Sequence, residues 1–487
     1  MAKKKKRHFW LNVIVVMITV MVVLSSLFWL VAFHFYNVSS NSMAPALQAT
    51  PKKSDRLLCW NLAFLFRKPV RWEVVTFNTP SNSGNTIIGG MDTGGEEGLT
   101  VKRLAGLEDE RLAISGGDIW TRPLADASAP FRRQVKPDSV QHGMWIEVYR
   151  SELADRTVPE FLLAWDNPDE KIAIRNGVLL MPEDSAITYV PKARVGTDIN
   201  MRMLTLPGIP DRYMLPQELF FHCSNCGNDF SRHEKMQVVF ARCPVCGLLN
   251  EETSVAFYEL RSGLPETGKF HVGDARQGDM THFRNNTYNF VSDLKITLEV
   301  RLLNPGSAFR ANLRGQDGVA SAVFKTNGAS INDRALGGNQ GALKPGEWTR
   351  VEFYLADGAA RLFLGENRAP LFDRVLWKGE VREDEYDGGQ CGIVLQALGG
   401  DVEIRDFAMS RDVHYFSGRR QGMGRYLAAM DEDGQIDVPV NHFFPLGDNT
   451  TVSLDGRSWG AVDMSLLKGT ALYIWSPRER AGRIPTP

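Results

Sequence analysis

The sequence lacks a large net charge, a visible internal repeat and a scattered set of cysteines, and each absence argues against a class of protein. Its 56 Lys and Arg residues are balanced by 57 Asp and Glu residues, so the formal net charge of the 487-residue chain is −1. Without a global basic field, nucleic acid is not expected as a partner. No repeat with a period of about 20–50 residues is visible, which argues against a solenoid or propeller. Of only six cysteines, four form two tight pairs, which indicates a site rather than a disulfide framework.

One long apolar run is present, and no second run of comparable length follows it. It extends from Phe9 to Phe35 behind a basic block at residues 3–7. As a helix it would be about 40 Å long, enough to cross a hydrocarbon core of ~30 Å. Cleavable signal peptides usually have an apolar core of about 7–15 residues, and no small-residue cleavage pattern follows closely here. The sequence therefore predicts a cytoplasmic tail over 1–8, a permanent single-pass anchor over 9–36, and the remaining chain outside the cytoplasm.

Beyond the anchor the sequence predicts a mainly β fold. Apolar residues alternate with polar ones over residues 294–302, and two apolar runs flank the turn signal Asp357-Gly358. Such short alternating segments with turn signals are typical of a β-sandwich. We expect one β-rich domain built from residues 37–121 and 436–487, interrupted by a large β-rich insertion over 122–435.

Three short segments carry candidate chemistry, although each is weak alone. Ser42 lies in a Ser-rich turn after the anchor, which by itself indicates only a linker. Lys102, beside Arg103, would by itself be a surface cation. The segment 447–457 holds Gly-Asp-Asn followed by Ser453, Asp455 and Arg457, and alone it indicates a tight turn with a local ion pair.

In this order and behind this anchor, the three segments resemble the motifs of type I signal peptidases, the serine–lysine proteases of peptidase family S26. Residues 40–47 match the family's Ser-x-Ser-Met-x-Pro-x-Leu motif, and residues 102–107 match its Lys-Arg-x-x-Gly-Leu motif. Segment 447–457 matches the last motif. The resemblance covers roughly residues 9–121 and 436–476. Asn41 replaces the glycine usual between the two serines, and Thr450 and Gly456 also depart from the pattern.

The resemblance implies a role for each candidate residue and no cofactor for catalysis. Ser42 would be the nucleophile and Lys102 its general base, which requires burial to lower the lysine pKa from about 10.4. The hydroxyl of Ser40 and the backbone N–H of Ser42 would form the oxyanion hole. The orienting residues would be Ser453, which holds the lysine amine, with Asp455 and Arg457, which hold the loop of Ser453.

The family's substrates are signal peptides of secreted preproteins, cleaved after small residues in an Ala-x-Ala pattern and bound as an added β-strand. The resemblance therefore implies a serine endopeptidase of the plasma or inner membrane, with preproteins and membrane lipid as partners. An alternative is a catalytically impaired, membrane-anchored binding or sensor protein. The size of the insertion favours the alternative, and the presence of both Ser42 and Lys102 opposes it.

The two cysteine pairs have the spacing C-x2-C-x16-C-x2-C and resemble a zinc ribbon over about 220–250. The four thiols belong to Cys223, Cys226, Cys243 and Cys246. Four protein ligands leave no open position on the metal, so the zinc would be structural. Disulfides are the competing interpretation, because this domain is expected outside the cytoplasm.

Around this ribbon, residues from about 143 to 412 resemble concanavalin-like or laminin G-type sandwiches. The resemblance depends on residues 346–351 (Gly-Glu-Trp-Thr-Arg-Val) and on the strand that contains 361–363. Such sandwiches often bind a glycan or a protein, but fold alone does not decide function. A packing or spacer role is an equally open interpretation.

Overall fold

The structure is a computed structural model, and it describes most of the two chain ends and of the inserted sandwich. The described residues are 2–49, 54–80, 98–150, 165–166, 172–175, 178–189, 214–222, 226, 229–233, 240–242, 245–246, 249–261, 264–271, 291–367, 369–381, 392–415, 417, 429–431, 433–450 and 453–487.

The chain begins with helix α1, Ala2–Ala32, which continues directly into strand β1, Phe33–Asn37. Within the described part of the chain, one helical segment, Val13–Ala32, is long and apolar enough to cross a membrane. It fits a membrane anchor or a signal sequence, and its side chains over 14–31 are exposed. The helix ends before the predicted limit at Tyr36, because residues 33–37 pair with the next strand instead.

The described elements, in chain order, are almost all strands. The first part contains β2 Arg56–Trp60, α2 Ala63–Phe66, β3 Val74–Asn78, β4 Leu99–Gly106, β5 Glu110–Ser115, β6 Asp118–Pro123, β7 Arg132–Arg133 and α3 Asp138–Gln141. The middle contains β8 Ile146–Arg150, β9 Trp165–Asp166, β10 Ala173–Arg175, β11 Val178–Met181, β12 Ala186–Tyr189, β13 Met214–His222, β14 Asp229–His233, β15 Phe240–Arg242, β16 Leu249–Arg261, β17 Leu264–His271, β18 Leu294–Leu302, β19 Ala308–Gly315, β20 Gly318–Lys325, β21 Gly328–Ile331, β22 Arg334–Ala335, β23 Thr349–Ala356, β24 Ala359–Leu364, β25 Phe372–Val375, β26 Gly392–Leu398 and β27 Val402–Arg411. The last part contains β28 Gln435–Val438, β29 His442–Leu446, α4 Gly456–Trp459, β30 Val462–Asp463, β31 Leu467–Ser476 and β32 Gly482–Arg483.

The two chain ends form one domain, which we call the split domain. Its larger sheet has the strand order β1-β2-β31-β3-β4-β29-β30, with β32 paired to β31, and its smaller sheet has the order β28-β5-β6-β7. In the larger sheet β31 lies between β2 and β3, and in the smaller sheet β28 pairs with β5, so neither sheet is complete without both ends of the chain. This arrangement confirms the predicted mainly β chain with a domain interrupted by a large insertion.

The insertion contains a sandwich of two antiparallel sheets. One has the order β10-β11-β27-β18-β23-β24-β25, with β8 paired to β27, and the other has the order β22-β21-β20-β19-β26-β12-β9. The alternation over 294–302 places every second side chain of β18 in the core between the sheets. Asp357 and Gly358 have φ values of 50° and 73°, as a two-residue turn between β23 and β24 requires.

A separate five-stranded sheet lies in the region of the cysteine pairs, with the order β14-β13-β16-β15 and β17 paired to β16. The register pairs Phe221 with Glu252, so the last residues of β13 and the first residues of β16 lie at the same end of the sheet. Cys226 follows β13 and Cys246 precedes β16, both in exposed turns. Cys223 and Cys243 lie outside the described residues.

Candidate active site

Ser42 and Lys102 meet beside β4, an inner strand of the larger sheet of the split domain. Ser42 lies in the short 3-10 helix Asn41–Met43, just after β1, and Lys102 lies on β4 opposite Val75 of β3. The Nζ atom of Lys102 donates to Oγ of Ser42 at 2.5 Å. The two residues are separated by most of the first chain segment, and the fold brings their side chains into direct contact.

The surroundings of Lys102 favour its neutral form. Only 4% of the residue is exposed. Burial lowers the pKa of its amine from 10.5 to about 8, with the charges of Asp455 and Asp448 raising it and that of Arg457 lowering it. A neutral amine can take the proton of a serine hydroxyl, whereas an ammonium group cannot. Lys102 therefore loses its proton at a lower pH than an exposed lysine does, which suits it to act as a base at Ser42.

Ser40 contributes a second hydroxyl beside Ser42. Its Oγ donates to Oγ of Ser42 at 3.2 Å, and the residue itself is exposed. A donor beside the attacking oxygen is suited to an anion that forms when that oxygen adds to a carbonyl group. Ser40 thus lies beside Ser42, and its role in the oxyanion hole stays a prediction.

A buried ion pair supports the loop that follows β29. One edge of the Arg457 guanidinium group binds Asp455, with Nε–Oδ1 and Nη2–Oδ2 distances of 2.9 Å, and neither side chain is exposed. Asp455 also accepts from the backbone N–H of Gly447 at 3.0 Å. Burial alone would raise the pKa of Asp455, but Arg457 and the Gly447 N–H lower it below its ordinary value. The loop is therefore held by a bidentate, charge-assisted contact.

Ser453 lies close to Ser42, although it does not bind Lys102 directly. Its Oγ donates to the Leu454 carbonyl oxygen at 3.5 Å, and no hydrogen bond joins it to Lys102 among the residues that the structure describes. Gly447 permits the close approach: a Cβ atom there would overlap Ser453 Oγ and lie 2.5 Å from the Ser42 carbonyl oxygen. The predicted role of Ser453 in orienting the amine stays a prediction.

A second buried pair, Arg103–Asp448, received no role from the sequence alone. Arg103 Nε and Nη2 donate to the two oxygens of Asp448 at 2.7 Å, and both side chains are fully buried. Arg103 follows Lys102 on β4, and the N–H of Asn449 donates to the Ser42 carbonyl oxygen at 3.0 Å. The pair thus ties the lysine strand to the loop that holds Ser42. Arg103 lies within the motif at 102–107 and Asp448 within the motif at 447–457. This position in the motifs was the signal that could have indicated a role for the pair.

Three carboxylates at the junction of the split domain and the sandwich are close enough to share a cation. Oxygens of Asp118, Asp293 and Asp357 lie within 4.8 Å of one another. However, Lys136 binds Asp357, and Arg133 Nε lies 3.1 Å from Asp118. We therefore describe the group as an ion-pair network rather than as a metal centre.

One family model matches most of the split domain. The family model described as signal peptidase, peptidase S26, matches residues 10–137 and 399–476. These ranges contain all six residues proposed above from the motifs: Ser40, Ser42, Lys102, Ser453, Asp455 and Arg457. The match supports a signal peptidase S26 domain that is split by a large insertion.

Other comparisons give weaker similarities. No curated protein matches the chain. Among solved structures, a native glycosidic hydrolase is 6% identical, with 54% of this chain and 94% of that chain covered and a TM-score of 0.25. An alginate lyase from Corynebacterium sp. is 9% identical, with 40% and 93% covered and a TM-score of 0.18. Sheep galectin-11 is 11% identical, with 25% and 92% covered and a TM-score of 0.14. These similarities are too low to assign a fold or a function.

Proposed function

We propose that the chain is a membrane-anchored signal peptidase that cleaves preproteins after small residues, with Ser42 as nucleophile and Lys102 as general base. The observation that carries the proposal is the 2.5 Å contact between Lys102 Nζ and Ser42 Oγ inside a domain matched by the signal peptidase family. A serine and a buried lysine in contact form a self-sufficient nucleophile–base pair without a metal or cofactor.

The reaction follows from this geometry. Neutral Lys102 accepts the Ser42 proton as Oγ adds to the carbonyl carbon of the scissile bond, and the resulting anion accepts hydrogen bonds from the Ser40 hydroxyl and the Ser42 N–H. The ammonium group then gives its proton to the departing amine, which leaves an ester on Ser42. Lys102 next deprotonates a water molecule that hydrolyses this ester and regenerates the serine. Asp455 and Arg457 hold the loop beside the lysine throughout.

The anchor supports a site at the membrane surface. Because β1 continues α1 directly, Ser42 follows the end of the apolar helix closely in the chain. A rim of apolar side chains on the same domain is 37–77% exposed and comprises Phe35, Leu65, Phe66, Leu472 and Trp475. We propose that this rim contacts lipid, with the basic tail in the cytoplasm and the split domain outside it. A tethered site would then meet signal peptides where they leave the bilayer.

Cleavage of a preprotein by the full-length protein in lipid or detergent tests the function. The substrate carries an Ala-x-Ala site and a matched version carries Asp at the two small positions. We expect wild type to cut only the first, and Ser42→Ala and Lys102→Met to lose at least ~10³-fold in rate. Ser128→Ala and Lys68→Met, which change exposed residues far from the pair in sequence, are the matched controls. Equal cleavage by wild type and Ser42→Ala would refute the proposal, and a folded but inactive wild type would favour the binding or sensor alternative.

We also propose a structural zinc ion at the cysteine pairs. The support is the C-x2-C spacing, together with the pairing of β13 and β16. Cys226 follows the end of β13 and Cys246 precedes the start of β16, and these two strand ends lie at the same end of the five-stranded sheet. Metal analysis with thiol counting in denaturant should give one zinc and reduced cysteines. Cys226→Ser should lose the zinc, and Cys59→Ser, which alters a buried thiol elsewhere, should keep it. Four oxidised thiols without metal would establish disulfides instead.

A further inference from the structure

Tyr415 belongs to the segment that leaves the sandwich, yet its side chain lies in the core of the split domain. It follows β27, the last strand of the sandwich, and its backbone N–H donates to the Gly117 carbonyl oxygen at 3.1 Å, between β5 and β6. Only 1% of the residue is exposed, and it packs within the hydrophobic cluster that also contains Trp72 and Leu446. A large aromatic residue from the end of the insertion is therefore buried in the domain that contains Ser42 and Lys102.

The Tyr415 hydroxyl reaches the buried pair beside the candidate active site. It donates to Oδ1 of Asp448 at 3.3 Å, the oxygen that also accepts from Arg103 Nε. Burial raises the pKa of Tyr415 well above its ordinary value, so the hydroxyl stays protonated and remains a donor. Asp448 precedes Asn449, which holds the Ser42 carbonyl oxygen. Tyr415 is thus a third donor to the Asp448 carboxylate, which links β4, the strand of Lys102, to the segment that binds Ser42.

The Tyr415 ring also packs against Trp72, a residue with a strained backbone that contacts β4. It stacks on the ring of Trp72, with centroids 6.4 Å apart and an interplanar angle of 24°. Trp72 has φ = 71°, a left-handed conformation that is unfavourable for a bulky residue. Its N–H donates to the Leu104 carbonyl oxygen and its own carbonyl oxygen accepts from Arg103 Nη1, both at 2.7 Å. Trp72 therefore holds β4 immediately after Lys102, and the tyrosine ring packs against the side chain of this holder.

We propose that Tyr415 is a positioning residue for the Ser42–Lys102 pair. Its hydroxyl holds Asp448 and its ring holds Trp72, so that Ser42 and Lys102 keep the distance between their side chains. This inference rests on the proposed peptidase function and extends it, because it makes the end of the inserted domain a contributor to the active site. Small displacements of a reacting pair reduce its rate strongly, which is why such support matters.

The same contact also affects the charge that faces Lys102. The charged groups that act on this amine are Asp455, Arg457 and Asp448, and Asp448 favours the ammonium form. A hydrogen bond from Tyr415 spreads part of the Asp448 charge. Removing that donor should strengthen the field of the carboxylate at Lys102 and therefore shift the base toward its protonated form.

The test compares Tyr415→Phe, which keeps the ring, with Tyr415→Leu, which loses both ring and hydroxyl, in the full-length protein. The first measurement is the pH dependence of Ser42 acylation by a small β-lactam, whose ring opens to leave an ester on Ser42 that mass spectrometry locates. The second is kcat and KM for the preprotein. Tyr415→Phe should slow acylation about 3- to 10-fold at pH 7 and move the acidic midpoint to higher pH, and Tyr415→Leu should slow it about 30- to 100-fold. KM should not change, because Tyr415 is buried in the core of the split domain.

Tyr354→Phe is the matched control, because this buried tyrosine also donates to a carboxylate, that of Asp138, but belongs to the sandwich. It should leave the rate and the midpoint unchanged. An unchanged rate and midpoint in both Tyr415 variants would overturn the inference, and so would a loss explained entirely by a smaller folded fraction. If wild type is acylated but does not cleave preproteins, the peptidase proposal fails while the Tyr415 comparison still decides the inference. If wild type is not acylated at all, there is no reactive serine to position and the inference fails too.

Discussion

Replacing Asp448 by Asn should destabilise the split domain and at the same time lower the pKa of Lys102. The substitution keeps the shape of the side chain but removes its charge. Arg103 would then keep a full positive charge in a site where it is fully buried, with an amide in place of the carboxylate that now accepts two bonds at 2.7 Å. Lys102, which precedes Arg103 in the chain, would lose one of the two negative charges that favour its ammonium form.

The two effects have different sizes and can be separated. Breaking a buried ion pair by neutralising one partner costs about 3–5 kcal/mol. For a domain of this size, that corresponds to a thermal midpoint lower by roughly 10 °C. The pKa of Lys102 should move downward from about 8, because the charge that raises it is gone. The acidic limb of Ser42 acylation should therefore move to lower pH, which is opposite to the direction expected for Tyr415→Phe.

The assay combines thermal unfolding in detergent with the pH profile of acylation, both on the full-length protein. Asp431→Asn provides the control, since the Arg111–Asp431 pair is partly exposed, with 28% and 40% of the side chains accessible, and such pairs contribute about 0–1 kcal/mol. A midpoint lowered no more than in this control would show that the Arg103 contact does not stabilise the domain. A shift of the acidic limb to higher pH would refute the electrostatic reasoning about Lys102.

Three further predictions concern pH and packing. Peptidase activity of wild type should rise steeply with pH around 8, where Lys102 loses its proton, and level off only at higher pH. A flat kcat/KM between pH 6 and 9 would contradict this. Burial and neighbouring carboxylates raise the pKa of Asp293 to about 7. Because the folded state then holds a proton that the unfolded state releases, stability should fall as pH rises from about 4 to 7. Asp293→Asn should reduce that fall in unfolding experiments, and the raised pKa values of Asp118 and Asp412 should account for what remains of it. Gly447→Ala should reduce acylation at least tenfold because its Cβ overlaps Ser453 Oγ, whereas Gly482→Ala, whose Cβ would meet its nearest atom at 3.9 Å, should not.

Local patterns in the sequence predict local structure well here. The alternation over 294–302 places the inner face of β18 correctly, since a strand exposes successive side chains to opposite faces. The Asp357-Gly358 turn is also correct, because few dipeptides accept two positive φ angles. The motifs likewise contain the residues that meet at the candidate site. In each case the signal lies within a few neighbouring positions.

Contacts between distant segments could not be predicted in the same way. Arg103 and Asp448 are 345 positions apart, and nothing near either residue indicates that it is buried against the other. Tyr415 lies in a segment with no motif, and its role depends on where β27 delivers it. Trp72 takes a left-handed conformation that its residue type disfavours, and only the bonds to β4 account for it. These features arise from packing, which single-sequence patterns do not encode.

The topology gives a reason why the insertion bears on the site at all. Strand β4, which carries Lys102, has β3 on one side and β29 on the other, and β29 comes from the far side of the insertion. The lysine therefore gains its buried surroundings only when the two chain ends have closed around the sandwich. At the junction Lys136 binds Asp357 of the sandwich and lies 5.4 Å from the Trp72 ring. A sandwich that is unfolded or displaced would remove Asp357, the partner of Lys136, and would shift Tyr415, so the reactivity of Ser42 should depend on the folded state of the sandwich.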